Sequence, residues 1–134
     1  MPDRPNEPIW FSASHIVRMN EKIVSARGEC HLVLDAGLIE SALTRPLNLF
    51  LYEGVTDIFM LGVRLMEAIG KNHCFEQGNK RTAHMAALSF MRINGSPYQH
   101  ADTSENAKVI RRVITGLVSF NDVITWCRPL PLAA

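Results

Sequence analysis

Residues 83–91 (AHMAALSFM) would place small or apolar side chains around most of the circumference of a helix. A helix without a polar face persists in water only when other helices surround it. This stretch therefore predicts a bundle with residues 79–94 as its central helix, closed by Gly95. The rest of the chain supplies neighbours. Ile16, Met19 and Ile23 recur at helical spacing between Ser12 and Gly28, and Ile58, Leu61, Leu65 and Ile69 do so before Gly70. Residues 102–105 have capping-box spacing ahead of Ala107, Ile110, Val113, Ile114 and Leu117, and residues 119–122 cap a last short helix that stops at Pro129. Residues 37–43 suit a short helix with Asp35 as N-cap. Arg45-Pro46 is expected to end it, because the residue before a proline is pushed out of the α region. Residues 47–52 (LNLFLY) alternate in size and polarity and are expected to form an extended flap, closed by Gly54. The expected architecture is all-α: a single-domain bundle of about six helices with one short flap.

Composition narrows the class of molecule. A chain of 134 residues with 47% hydrophobic content suits one domain with a core. Fourteen Lys and Arg against 13 Asp and Glu leave a formal charge of +1, so no global basic field favours direct nucleic-acid binding, and any basic site is local. Cys30, Cys74 and Cys127 form no paired motif, which points to a reducing compartment. Nowhere do 18 apolar residues run together, and the first ten are polar and proline-punctuated, so the chain reads as cytoplasmic, without a membrane segment. Residues 1–10 are expected to be a disordered lead-in, residues 11–128 the helical domain and residues 129–134 a tail.

One polar segment, residues 72–83 (NHCFEQGNKRTA), runs straight into the most apolar helix. A helix start exposes unpaired N–H groups and the positive end of the helix dipole, which attract phosphate oxygens. Gly78 lets a ligand approach the backbone there, and Lys80 and Arg81 add positive charge. The segment is not a Walker A loop, which needs glycine directly before a Lys-Ser/Thr pair. His73 can reach a ligand held at this helix start, and an imidazole titrates near neutral pH, as a general base acting on a hydroxyl must. Taken alone, His73 reads as a surface histidine and Lys80-Arg81 as a charged turn; the segment as a whole changes that reading. Phe75 reads as a core anchor. His84 reads as a core or groove histidine, and His15, His31 and His100 have no companions that assign them a role. No His-Glu-x-x-His pair points to zinc. Met60, Met66, Met85 and Met91 are expected to fill the core.

The segment resembles the motif of the Fic/Doc family, His-x-Phe-x-Asp/Glu-Gly/Ala-Asn-Gly/Lys-Arg, matching at His73, Phe75, Gly78, Asn79, Lys80 and Arg81. Trp10, the run GLIESAL at residues 37–43, Arg45-Pro46 with Leu49-Phe50, and residues 90–95 (FMRING) resemble its death-on-curing (Doc) branch. The resemblance implies that His73 deprotonates a target hydroxyl, that Gly78, Asn79, Lys80 and Arg81 hold nucleotide phosphates, and that Phe75 anchors the loop. Lys80 stands where most relatives, which transfer AMP, have glycine. In the Doc branch that lysine accompanies transfer of the ATP γ-phosphate to elongation factor Tu, which stops translation. The resemblance further implies ATP and Mg²⁺ as cofactors, a protein substrate in the translation machinery, and a target-aligning flap at Arg45, Pro46 and Leu47. Gln77 replaces the carboxylate that would hold the metal, so magnesium is held by the nucleotide, or Glu76 substitutes, or activity is reduced. An AMP transferase and a non-catalytic nucleotide- or partner-binding module remain as alternatives. The family's inhibitory pattern Ser/Thr-x-x-x-Glu-Gly/Asn fails at residues 25–30, where Cys30 follows Glu29. A separate cognate antitoxin, docked in an apolar groove of the first helices, is then the expected restraint.

Overall fold

The structure, a computed structural model, describes residues 7–95. The helices expected after residue 100, Cys127 and the tail lie outside the described residues. Within those residues the chain forms α1 (Ala13–Ala26), α2 (Ala36–Glu53), α3 (Ile58–Asn72) and α4 (Asn79–Ile93). The only pairing of extended backbone among them is an isolated antiparallel bridge between Val33 and Phe75. None of these helices is long and apolar enough to cross a membrane.

Local chemistry sets the helix starts. Asp35 accepts a hydrogen bond from the Gly37 N–H (2.8 Å), and Asp57 accepts from the N–H groups of Phe59 (2.9 Å) and Met60 (3.3 Å). Each satisfies donors that a first helical turn leaves unpaired. At the start of α1, His15 Nδ1 accepts from the Ser12 N–H (3.0 Å).

α3 and α4 pack together at the centre. α3 buries residues on every side, among them Phe59, Leu61, Val63, Leu65, Met66 and Ile69, and α4 buries Ala83, Ala86, Ala87, Phe90 and Met91. A Cβ on Gly62 would lie 2.8 Å from Met91 Cε and 3.2 Å from its Cγ, so the Met91 side chain packs into the space that this glycine leaves on α3. Met66 and Met91 fill the core as expected, whereas Met85 is 37% exposed because it sits on the face of α4 turned away from α3.

Two boundaries differ from expectation. α2 does not stop at Arg45 but continues through Pro46 to Glu53, so residues 47–52 are helical and no flap forms there. Its buried residues Ile39, Ala42, Pro46 and Phe50 are spaced by three or four and make one continuous stripe. An interior proline costs about 3 kcal/mol. Burying the Phe50 ring recovers about 1.5–3 kcal/mol, and the rest of the stripe adds to this, so packing overrides the local signal. α3 likewise runs through Gly70 and ends at His73, which takes the left-handed conformation with φ 50°.

The amino-terminal residues 7–10, expected within a disordered lead-in, join the core. Pro8 is buried, and the Trp10 ring packs 5.8 Å from Phe50 and 5.7 Å from Phe90. The Asn94 side chain accepts from the Ile9 N–H (2.8 Å) and donates to the Ile9 carbonyl (3.2 Å).

Candidate active site

The segment between α3 and α4 is shaped by a few specific bonds. Phe75 is 1% exposed, and its ring pins the loop to the core. The Asn79 carboxamide grips the Phe75 backbone at both ends, accepting from its N–H (2.9 Å) and donating to its carbonyl (2.7 Å). Asn79 therefore holds the loop in shape, and what faces a ligand from it is its backbone N–H. The residues before the loop, 31–34, run alongside it: the Leu34 N–H donates to the Cys74 carbonyl (2.9 Å) and the Glu76 N–H to the Leu32 carbonyl (3.0 Å).

Gly78 opens α4 in the left-handed conformation, φ 76°. A Cβ there would meet Val24 Cγ1 at 3.0 Å and Asn20 Nδ2 at 3.2 Å, so the turn presses directly on α1. Packing against α1 thus requires this glycine, a reason separate from the ligand approach that the sequence suggested. The Thr82 N–H donates to the Gly78 carbonyl (2.9 Å) and closes the first helical ring. The N–H groups of residues 79–81 precede that ring, and no side chain caps the helix. An uncapped start with its dipole pointing outward attracts negative charge.

Above this start lies a cleft of about 480 Å³. The motif lines it with His73, Gln77, Gly78, Asn79, Lys80 and Arg81, and the connection after α1 adds Arg27 and Glu29. His73, Lys80 and Arg81 are all exposed, so an imidazole and two cations face one open space. Arg27 contributes a third cation, with its Nε 3.7 Å from Glu29 Oε1. Cys74, although beside His73, is buried, and burial pushes its thiol above the usual cysteine range. It is thereby disfavoured as a nucleophile.

Such a cleft fits a polyphosphate: three cations, one carboxylate and a row of unpaired N–H groups. It fits a protein-held magnesium poorly. Among the described residues no three His, Cys, Asp or Glu side chains converge on a metal position. Gln77 brings only a neutral amide, and Glu76 is exposed outside the cleft lining.

The flap residues expected from sequence do not reach this cleft. Pro46 and Leu47 line a separate cavity of about 180 Å³ with Trp10 and Phe11, and Arg45 lines another depression with Arg64. The extended segment beside the motif is residues 31–34 instead.

Sequence reasoning gave Arg27 no role, and met Glu29 only as the glutamate of an inhibitory pattern that fails at Cys30. It also missed Asn20, a fully buried residue of α1 that donates to the Gln77 carbonyl (2.8 Å) and to Thr82 Oγ1 (3.1 Å). A signal for it existed. Asn20 falls four residues after Ile16 and four before Val24, on the stripe that α1 buries.

A model of the Fic/DOC family matches residues 10–91, the stretch that carries α1 to α3, nearly all of α4 and the cleft. The chain belongs to the Fic/DOC family. A relative from Escherichia phage P1, "Protein kinase doc", is 30% identical over 120 residues, covering 90% of this chain and 94% of that protein. "Toxin Doc" of Mycolicibacterium smegmatis is 34% identical over 64 residues, covering 47% of this chain and 49% of that protein.

Next to the cleft, between α1 and α4, runs a groove of about 500 Å³. Ile23, Ala26, Met85 and Leu88 form its apolar surface, and Lys22, Arg27, Arg81 and Arg92 its cationic rim; Arg27 and Arg81 belong to both spaces.

Proposed function

We propose that this Fic/DOC-family chain is the toxin of a toxin–antitoxin pair. In this reading it transfers the γ-phosphate of ATP to a Ser or Thr hydroxyl of a translation factor, elongation factor Tu by resemblance, and so inhibits translation in the cytoplasm. The observation that carries the reading is one cleft in which an exposed imidazole, His73, faces an uncapped helix start flanked by Lys80, Arg81 and Arg27.

ATP would supply the phosphoryl group, and magnesium, if it accompanies the nucleotide, would supply charge neutralisation that Gln77 cannot anchor with a carboxylate. His73 takes the proton of the incoming hydroxyl as that oxygen bonds to phosphorus. The N–H groups of residues 79–81 and the guanidinium of Arg81 stabilise negative charge on the transferring group and on the departing nucleoside diphosphate. Lys80 fills space that glycine would leave open to an α-phosphate, which favours presentation of the γ-phosphate to His73.

The extended segment at Val33 offers a place to align the target. Leu32 and Leu34 direct their main-chain bonds at the motif loop, so the Val33 N–H and carbonyl point to the opposite edge. An extended target peptide pairs there, beside exposed Leu32 and Leu34. The antitoxin occupies the α1–α4 groove, whose apolar surface and basic rim suit an acidic amphipathic helix.

The test is incubation of the full chain with candidate translation factors and ATP labelled at either the α- or the γ-position. Protein-bound γ-label alone is expected. Protein-bound α-label replaces the kinase reading with adenylyl transfer, and nucleotide binding without either label leaves a non-catalytic module.

A further inference from the structure

Asn20 brackets the phosphate-binding turn. Its carboxamide nitrogen donates to the carbonyl of Gln77, the residue before the turn, and to the hydroxyl of Thr82, the residue after it. Residues 78–81, which carry the N–H groups and two of the cations, lie between these two bonds. Asn20 is fully buried, so its orientation is fixed by its partners. The Gln77 carbonyl can only accept, which puts Nδ2 on that side and leaves Oδ1 facing His31 Nδ1 at 2.9 Å. An amide oxygen cannot donate, so Nδ1 of His31 must carry the proton.

His31 sits in the segment that pairs with the motif loop, and its ring stacks obliquely on Phe75 with centroids 6.3 Å apart. Its other nitrogen, Nε2, points toward Glu21 Oε2 at 4.0 Å. One imidazole thus contacts the loop's anchor ring and completes the hydrogen bonding of the asparagine that brackets the turn.

We propose that Asn20 and His31 are positioning residues for the phosphate site: His31, as its Nδ1–H tautomer, orients Asn20, and Asn20 sets the turn 78–81 against α1 at the distance from His73 that transfer requires. The proposal rests on the phosphoryl-transfer reading for its effect on rate. Its structural half, the tautomer and the bracket, stands apart from that reading. Without His31 the buried Asn20 Oδ1 loses its donor and only the two Nδ2 bonds hold the carboxamide, so the turn is fixed less tightly relative to His73. A displacement on the order of 1 Å at a reacting centre can lower a rate by about a hundredfold. Lys80, Arg81 and Arg27 remain in the cleft, so nucleotide affinity changes much less than turnover.

Two measurements on the full chain decide it. Nitrogen-15 NMR of the His31 ring at mildly alkaline pH is expected to show protonated Nδ1 and bare Nε2; the opposite tautomer overturns the bracket whatever the chain's activity. In γ-label transfer, His31→Ala is expected to lower kcat about tenfold with KM for ATP within about threefold, and His31→Asn, which restores a donor at the Nδ1 position, to recover most of the loss. Unchanged kcat in His31→Ala overturns the proposal. So does an equal loss in both variants accompanied by a matching fall in Tm, which marks plain destabilisation. If the wild type transfers no label, the kinase reading fails by itself. Pyrophosphate titration of the backbone amide resonances of residues 78–81 then decides: shifts differing between wild type and His31→Ala support the bracket, and superimposable shifts refute it.

Discussion

His73 has a left-handed backbone, seldom adopted by residues with side chains, and it ends α3 in that state with its imidazole exposed in the cleft. Phe75, two residues on, is 1% exposed. Substitutions at the two should therefore separate chemistry from stability. His73→Ala is expected to abolish label transfer with little change in Tm, because an exposed side chain adds little to packing. Phe75→Ala is expected to cost about 3–5 kcal/mol in urea denaturation. Transfer retained by His73→Ala would remove the imidazole from the mechanism. The buried thiol of Cys74 gives a pH test with a definite sign. Its folded-state pKa is raised above the ordinary 9.0, chiefly by burial. The unfolded chain therefore releases that proton first, so this contribution to stability is intact below pH 9 and declines as pH rises past it. A thiolate-selective reagent, read by peptide mapping, should modify exposed Cys30 well before Cys74; equal rates would contradict the buried placement. At this scale the motif made the cleft residues legible, because their polarity is out of place before an apolar helix. Asn20 was overlooked because a lone asparagine in an amphipathic helix carries no sign of its distant partners.

Helices with sustained apolar spacing were legible, as α1, α3 and α4 show. α2 was misread because the Arg45-Pro46 signal is local, whereas the stripe from Ile39 to Phe50 gains its stabilisation from packing beneath it. Gly70 misled in the same way. It is buried inside α3, and the helix reaches two residues further before His73 turns the chain. The extended piece was sought at residues 47–52 and is found at residues 31–34, where its bonds go to a loop 40 or more positions later that no local pattern reveals. The start of α3 supplies a prediction for a whole element. Asp57 takes two first-turn N–H groups, so Asp57→Ala is expected to cost about 0.5–2 kcal/mol, seen as a lower urea midpoint at unchanged slope. Since this cap lies at the end of α3 opposite His73, transfer per folded molecule should be unaltered. A fall in transfer without a fall in stability would mean that the cap reaches the cleft.

Over the whole molecule positive and negative charge nearly cancel, yet the cleft and the groove beside it are cationic. Lys22 and Arg27 come from α1 and the residue that follows it, and Arg81 and Arg92 from α4; they meet only in the folded chain, which is why a net charge of +1 conceals them. The arrangement allows binding in the groove to be separated from chemistry in the cleft. Arg27 and Arg81 border both spaces, whereas Lys22 and Arg92 line the groove alone. A partner whose acidic groups meet all four cations covers the cleft as it fills the groove, so occupancy and inhibition coincide. Reversing the two outer charges with Lys22→Glu and Arg92→Glu should then weaken the antitoxin through like-charge repulsion, which costs several kcal/mol at an interface. Nucleotide binding and transfer should persist, because neither residue lines the cleft. Titrating transfer activity with cognate antitoxin at two salt concentrations tests this. The wild type should be inhibited at lower antitoxin concentration than the double variant, and the gap should narrow at high salt as the charges are screened. Equal inhibition curves would move the antitoxin to another face, and a double variant that no longer transfers phosphate would place the outer cations in the nucleotide site itself.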